Sequence, residues 1–482
     1  MKDEMTDIFA SSWSTTPFWL ACEKGQVEIV KILLRDERAD INNASKYYQT
    51  PFWIACQNGH IEIVKLLLND ERVDLEKASW SGQTPFFIAC QEGHIEIVKL
   101  LLYNKRIDLN KANKKKESPF LIACQNGRIE IVKLLLSNKG VDINKANSIG
   151  STPLFVVCQN GHIDIVKLLL NDNRIDINIA QNSGETPLWI VCEKGYIEIM
   201  KLLLNDKRID INKVNKTAVT PFYIACEKRH IEIVKLLLND ERVDINNANN
   251  NGQTAFYVAC FYGSTEIVEL LISDDSVDIN KSRNEGNSPF YIACYKGHIH
   301  VVKLLLNDSR VEINQADKYG VTPFYVACGN GYIEIVKLLL NDERVDINKS
   351  KDGVTPLWVA YENGYIEIVK LLLNQRVDIN HENKSGKTPF YTACQDGYIE
   401  IVKLLLSNEG VDINKANKDG WTPFYIACQQ EHIEIVKFLL NDKRISIRKK
   451  TKDGKTAIDI AKTNHHSEVV KLIEEVDTGI HP

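Results

Sequence analysis

A marker dipeptide, Thr-Pro or its variants Ser-Pro and Thr-Ala, begins at Thr16, Thr50, Thr84, Ser118, Thr152, Thr186, Thr220, Thr254, Ser288, Thr322, Thr355, Thr388, Thr422 and Thr456. The fourteen copies are 34 residues apart, except for two steps of 33 from Thr322 to Thr355 and on to Thr388. A period of this size builds stacked supersecondary units, each of which buries its apolar face only against a neighbour. Length alone would suggest several domains of roughly 150 residues each. The unbroken register overrides that expectation, because no Pro/Gly/Ser-rich linker or change in composition interrupts it.

Residues 50–83, TPFWIACQNGHIEIVKLLLNDERVDLEKASWSGQ, serve as the type copy. Thr50 is placed to cap a helix, with Pro51 at the first helical position, where a missing N–H costs nothing. Phe52 to Cys56 is apolar nearly all round, the pattern of a helix with neighbours on most sides. Gly59 stops it in a left-handed conformation. A second helix follows over HIEIVKLLL, with Ile61, Val64, Leu67 and Leu68 at helical spacing and Glu62 and Lys65 as an outward pair. Asn69 to Arg72 reads as a polar exit loop, and Val73-Asp74-Leu75 as an extended approach to a turn at Ser81-Gly82. A glycine stands two residues before the marker in ten copies, Gly82 to Gly454, and is replaced by Tyr48, Lys116 and Ala218 in three.

The twelve cysteines all fall at one position of the repeat, from Cys22 and Cys56 to Cys394 and Cys428. Equivalent positions in stacked units lie about 10 Å apart, whereas a disulfide needs Cα atoms within about 7 Å. They are expected as reduced, buried core thiols.

These residues resemble the ankyrin repeat family. The match rests on TPFYIAC as the opening, GHIEIVKLLL as the middle and RVDIN as the close, recurring in order over roughly residues 16–475. The resemblance implies an all-α ankyrin-repeat solenoid, helix-turn-helix plus hairpin-like loop per repeat, in an elongated superhelix with first helices and hairpin tips on its concave side. Two departures are systematic. The family's His after Pro-Leu is here mostly aromatic (Trp19, Trp53, Phe87, Tyr223, Tyr257, Tyr425), so aromatic stacking along the first-helix row is expected in place of its hydrogen bonds. The exit loop is one residue longer than the usual form, Asn374-Gln375-Arg376 being the copy of standard length.

Three segments follow. Residues 1–15 form an N-terminal shielding segment, in which Ile8, Phe9 and Trp13 would cover the first repeat. Residues 16–475 are the array, whose last copy is edited as a polar cap: Asp459 replaces the aromatic, Lys462 the cysteine and Ser467 the isoleucine. Residues 476–482 are a short tail.

The copy at Thr254 departs most, with Phe261-Tyr262 where other copies carry polar pairs such as Gln57-Asn58. In the family this position faces the concave surface, so Phe261 and Tyr262, with Tyr295 in the next copy, are candidates for an exposed partner-binding patch. Burial by a different local packing is the alternative. Trp80, Tyr319 and Trp421 stand at projecting turns and are further contact candidates, or lie back on neighbouring tips. Lys114-Lys115-Lys116 is a basic tip that either meets an acidic partner or is solvated.

Catalytic and metal chemistry find little footing. Cys-x-x-x-His occurs six times, as at Cys56/His60, but each copy supplies two ligands where a zinc site needs about four. His60-Ile61-Glu62 lacks the accompanying Pro-Cys-x-x-Cys of a deaminase, and no phosphate-cradling loop or nucleophile elbow is present. No enzyme activity, cofactor or metal is expected. The Asn of the Asp-Ile-Asn segment (Asn110, Asn144, Asn178, Asn246) resembles the site that asparagine hydroxylases modify in this family. The formal net charge of −5 exerts no general pull on nucleic acid, and no stretch has the length of a membrane span or the pattern of a secretory signal. A monomeric cytoplasmic scaffold holding protein partners, without nucleic acid or membrane insertion, is the expected function. A mechanical spacer, or an effector acting in another cell, are the alternatives.

Overall fold

A computed structural model describes residues 15–477. Among these residues there are 28 helices and no strand, only an isolated bridge between Lys351 and Val354. Two helices per repeat, fourteen times over, give an all-α solenoid. The chain divides into two compact units between Asn250 and Asn251. Within each, first helices pack on the first helices of the adjoining repeats and each second helix packs on its own first helix. The proposed shielding segment, with Ile8, Phe9 and Trp13, lies outside the described residues except for its last position.

The type copy folds for local reasons. The Thr50 hydroxyl accepts from the Trp53 amide at 3.1 Å, and the helix Pro51–Gln57 begins on the proline. It ends as Gly59 turns left-handed (φ +79°) and the His60 amide donates back to Ala55 O, the bond of a Schellman stop. Phe52, Trp53, Ala55 and Cys56 are fully or almost fully buried. Burial of each large apolar side chain is worth about 1.5–3 kcal/mol. In the second helix, Ile61–Leu68, the fully buried stripe is Ile63, Val64 and Leu67; Ile61, expected in the core, is half-buried at the edge. Eight residues are too few for periodicity to choose among adjacent isoleucines. Glu62 and Lys65 pair at 2.7 Å on the outside, worth a few tenths of a kcal/mol.

The hairpin closes with Ser79 and Gln83 bonded through Ser79 N and Gln83 O (2.9 Å), and neighbouring tips are joined by one backbone bond, as from Trp80 N to Tyr47 O at 2.7 Å. Tyr48, Lys116 and Ala218, which replace the turn glycine, hold the same left-handed backbone (φ +60°, +60° and +61°). The turn geometry is therefore imposed by the stack even where the residue resists it.

The exit loop is more than a polar connection. Arg174 donates to the Asp172 carboxylate (2.6 Å) and to Leu136 O at 2.8 Å. Leu136 is the last residue of the preceding repeat's second helix, Ile129–Leu136. A guanidinium thus caps the negative end of the helix before it. The same bond recurs from Arg72 to Leu34 O and from Arg344 to Leu306 O. The side chain of Asn178 donates to Arg208 O and accepts from Asp210 N, both at 2.8 Å. Asn110 and Asn144 make the same paired bonds to the repeats that follow them. The carboxamides singled out as modification candidates are thus inter-repeat bridges at these three positions; Asn246 N bonds Asp244 Oδ1.

Among the described residues the ring pairs seen join near neighbours in sequence, as Tyr291 with Tyr295 and Trp421 with Tyr425, rather than running along the first-helix row. In several copies a polar atom of the ring reaches the next repeat's turn: Trp19 Nε1 donates to Gln49 O (2.8 Å) and Trp53 Nε1 to Gln83 O (2.9 Å). Tyr223 and Tyr391 accept on their hydroxyls from Asn249 and Asn417. The turn lies in range of these polar atoms, yet the rule is not uniform, since the Trp189 indole N–H in the same wall is buried without a partner.

The last repeat carries polar groups where its predecessors are apolar. Asp459 closes a capping box with Thr456, and Lys462 turns outward to Glu474 at 2.9 Å.

Candidate binding face

The twelve cysteines are buried, unbridged thiols. Burial raises the Cys22 thiol to about 12 and the others further, so none is a thiolate at neutral pH. The histidines that follow them are also committed. His60 Nε2 donates to Glu23 O (3.0 Å), His94 to Gln57 O (2.8 Å), and Arg128, standing in the same place, donates to Gln91 O (3.1 Å). Each ring lies where a Cβ on the preceding repeat's glycine would fall: one on Gly59 would sit 2.7 Å from His94 Cε1. Among the described residues no group of three or more His, Cys, Asp or Glu side chains could hold a metal ion. Likewise no helix there is long and apolar enough to cross a membrane.

Three of the sequence candidates meet in one cleft of about 380 Å³ within the second unit. Its floor is the first helix Pro289–Lys296, which carries Tyr291 and Tyr295. The end of the helix Ala255–Tyr262 brings in Phe261, and two successive hairpins form the walls, one with Arg283 and Glu285, the other with Asp317 and Tyr319. Phe261 is half-buried, Tyr295 is 44% exposed and Tyr319 is 60% exposed. Tyr295 stacks on Tyr291, with centroids 6.3 Å apart and planes 10° from parallel. Tyr262 meets Phe261 edge-on (5.0 Å) and does not line the cleft.

The cleft is mixed rather than a purely apolar patch. Arg283 donates to Asn287 Oδ1 (2.7 Å) and contacts the Glu285 carboxylate, which Lys318 approaches at 3.9 Å. Asp317 accepts from the amides of Tyr319 (2.8 Å) and Val321 (2.9 Å). Burial, with the Asp317 charge second, pushes the Tyr291 phenol up, so it stays a neutral donor. Lys296 lies with its ammonium 4.6 Å from the Phe261 ring centre and 5.5 Å from that of Tyr295, a cation–π arrangement.

The remaining candidates lie elsewhere. Trp80, in the first unit, is 65% exposed at its hairpin tip, with Lys114 of the basic tip 4.5 Å above the ring. Trp421 lies back on Tyr425 (5.5 Å) and is half-buried. Arg283, Glu285 and Asp317 had no mark in the sequence beyond ordinary turn composition. Only the stacking of two hairpins over one helix draws them to the aromatics.

Two helices per repeat, capped by Thr-Pro and closed by a left-handed residue and a short hairpin, define a helical repeat solenoid. The chain belongs to the ankyrin repeat family: the family described as ankyrin repeats (3 copies) matches residues 3–79, 71–147, 120–215, 207–283, 275–351, 343–417 and 408–481. A comparison with curated proteins finds no match. Ankyrin repeats are in general protein–protein interaction modules.

Proposed function

We propose that the protein is a non-catalytic, monomeric cytoplasmic scaffold that holds a protein partner on the hairpin and first-helix side of the second unit, around Phe261, Tyr295 and Tyr319. The observation that carries this proposal is the convergence of departures. The backbone bonds, caps and buried cysteines recur from repeat to repeat, whereas the aromatics at 261 and 295 break the pattern and share one cleft with Tyr319. A large aromatic left partly solvated beside charged side chains is the usual anchor of an interface. Trp80 is a second, separate candidate contact. No catalytic role is proposed, since the thiols are buried and neutral and the His60 and His94 rings are spent on backbone carbonyls.

The test is photo-crosslinking in extract of the native cell, with a photoreactive residue at position 295 or, as a control, at 65 on the outer helix. Crosslinks to a partner protein are expected at 295 and absent at 65. Phe261→Ala/Tyr295→Ala should reduce capture about tenfold or more while circular dichroism is unchanged. Capture that survives the double substitution in a folded protein would sink the assignment.

A further inference from the structure

The residue at the helix end beside the cleft changes its company in one repeat. Where the position after the cysteine is Glu and the next is Lys, the two pair: Lys24 with Glu23 at 3.2 Å, Lys194 with Glu193 at 3.3 Å and Lys228 with Glu227 at 3.3 Å. In the repeat beginning at Ser288 the lysine is kept as Lys296, but Tyr295 takes the place of the glutamate. Among the described residues Lys296 has no carboxylate within ion-pair distance; its contacts are the Phe261 and Tyr295 rings. The cleft's own anions are engaged elsewhere, Glu285 with Arg283 and Lys318, and Asp317 with two backbone amides. Three cations, Arg283, Lys296 and Lys318, stand against those two anions.

We infer that the cleft, taken as the partner-binding face, recognises an acidic peptide segment of the partner. In it an Asp or Glu carboxylate replaces the missing glutamate at Lys296, and a neighbouring apolar or aromatic side chain covers Tyr295 and Phe261. Tyr standing where the other lysine-bearing copies have Glu supplies both halves of that recognition. The ammonium is left without a counter-ion, and the ring beside it offers an apolar shelf. Rings under the ammonium hold its position while leaving its donors free, so little ordering remains to be done when a carboxylate arrives. A polyphosphate backbone is disfavoured by Glu285 and Asp317 in the cleft walls and by the chain's formal net charge of −5.

The experiment uses the full chain and a random peptide display library, followed by fluorescence polarisation with the strongest selected peptide and its Glu→Gln (or Asp→Asn) twin. Selected peptides should pair carboxylates with apolar side chains. The twin should bind about tenfold more weakly, the scale of one charge-assisted contact. Lys296→Met, which keeps the stem over the rings, should erase the difference between peptide and twin. Lys296→Glu should reverse it toward a Glu→Lys peptide, a rescue that a misfolded variant could not give. If selected peptides lose binding on Phe261→Ala/Tyr295→Ala but bind as well without the carboxylate, the acidic assignment fails and the binding face stands. If no selected peptide depends on those aromatics, the binding face itself fails. A single-stranded polythymidine oligonucleotide that binds more tightly than the peptide, and through Lys296, would overturn the choice of partner class.

Discussion

Asn178→Ala isolates the bridge between adjacent repeats. The substitution removes two bonds of 2.8 Å, the carboxamide's donation to Arg208 O and its acceptance from Asp210 N. It leaves in place the Lys213 ammonium on Asn178 O at 3.0 Å, because that acceptor is backbone. Each side-chain bond is worth about 0.5–1.5 kcal/mol net, and both orphaned groups lie where water can reach them, so the loss should be about 1–2 kcal/mol. Stability in a stacked array is a sum of unit and nearest-neighbour terms, so the deficit should stay at one junction. Hydrogen exchange read by mass spectrometry suits this geometry better than a single melting curve, since long arrays do not unfold as one two-state unit. Amides of 205–215 should exchange about 5–30-fold faster, the factor that one to two kcal/mol commands. Amides of the repeat at Thr50 should be unaffected. Unchanged protection at 205–215, or a uniform loss across the first unit, would refute the account of the bridge as a local nearest-neighbour bond.

Three further outcomes are expected. The side-chain bond from the arginine two residues on holds the Asp172, Asp206 and Asp240 carboxyls below their ordinary value of 3.8. A depressed folded-state pKa gives stability that is present above the unfolded value and lost as pH falls through the folded one. The urea midpoint should therefore drop below about pH 4, and drop less steeply in Asp206→Asn. Ala218→Gly should raise the midpoint of the first unit, since a left-handed backbone costs a residue with a Cβ about 1–2 kcal/mol, partly offset by glycine's greater freedom when unfolded; a lower midpoint would mean that the Ala218 side chain contributes packing the turn needs. In native protein at pH 8 the twelve thiols should resist a disulfide reagent and react together with unfolding in urea, whereas rapid native labelling would contradict their burial.

Whatever a few consecutive residues decide was legible in the sequence. Thr50, Pro51 and Gly59 set a helix start and stop through bonds three to five residues long, and the period announced the stack. The bridges were not legible, because Asn178 finds its acceptor 30 residues on and Arg174 its helix end 38 residues back. Nothing in their segment, NDNRIDIN, distinguishes such a partner from water. Phe261, Tyr262 and Tyr295 stood out as edits to a repeated theme. That Tyr319 joins Phe261 and Tyr295 while Tyr262 turns aside depends on how a hairpin overhangs a helix, which no single repeat encodes. The bonds from the Trp19 and Trp53 indoles to turn carbonyls 30 residues on were hidden for a related reason: the ring is legible in the sequence, but the acceptor of its N–H is not.

The histidine that rests on the preceding repeat's glycine has a genetic consequence. Because each such contact is made backward, by a residue of one copy on the copy before, an in-frame duplication of a copy that carries both the histidine and the glycine presents ring to glycine at its one new junction. Recombination between near-identical copies can therefore lengthen or shorten the array without a compensating mutation. That freedom is interrupted at Arg229, which holds the glycine's left-handed place (φ +63°) and is followed in the next copy by Ser264 rather than a ring, and again at Glu431 (φ +58°), where the next ring, His466, uses Nδ1 to reach Cys428 O instead. A copy inserted at either place would have to be rewritten, so copy number is free to drift within each run of matched copies but not across these two joints.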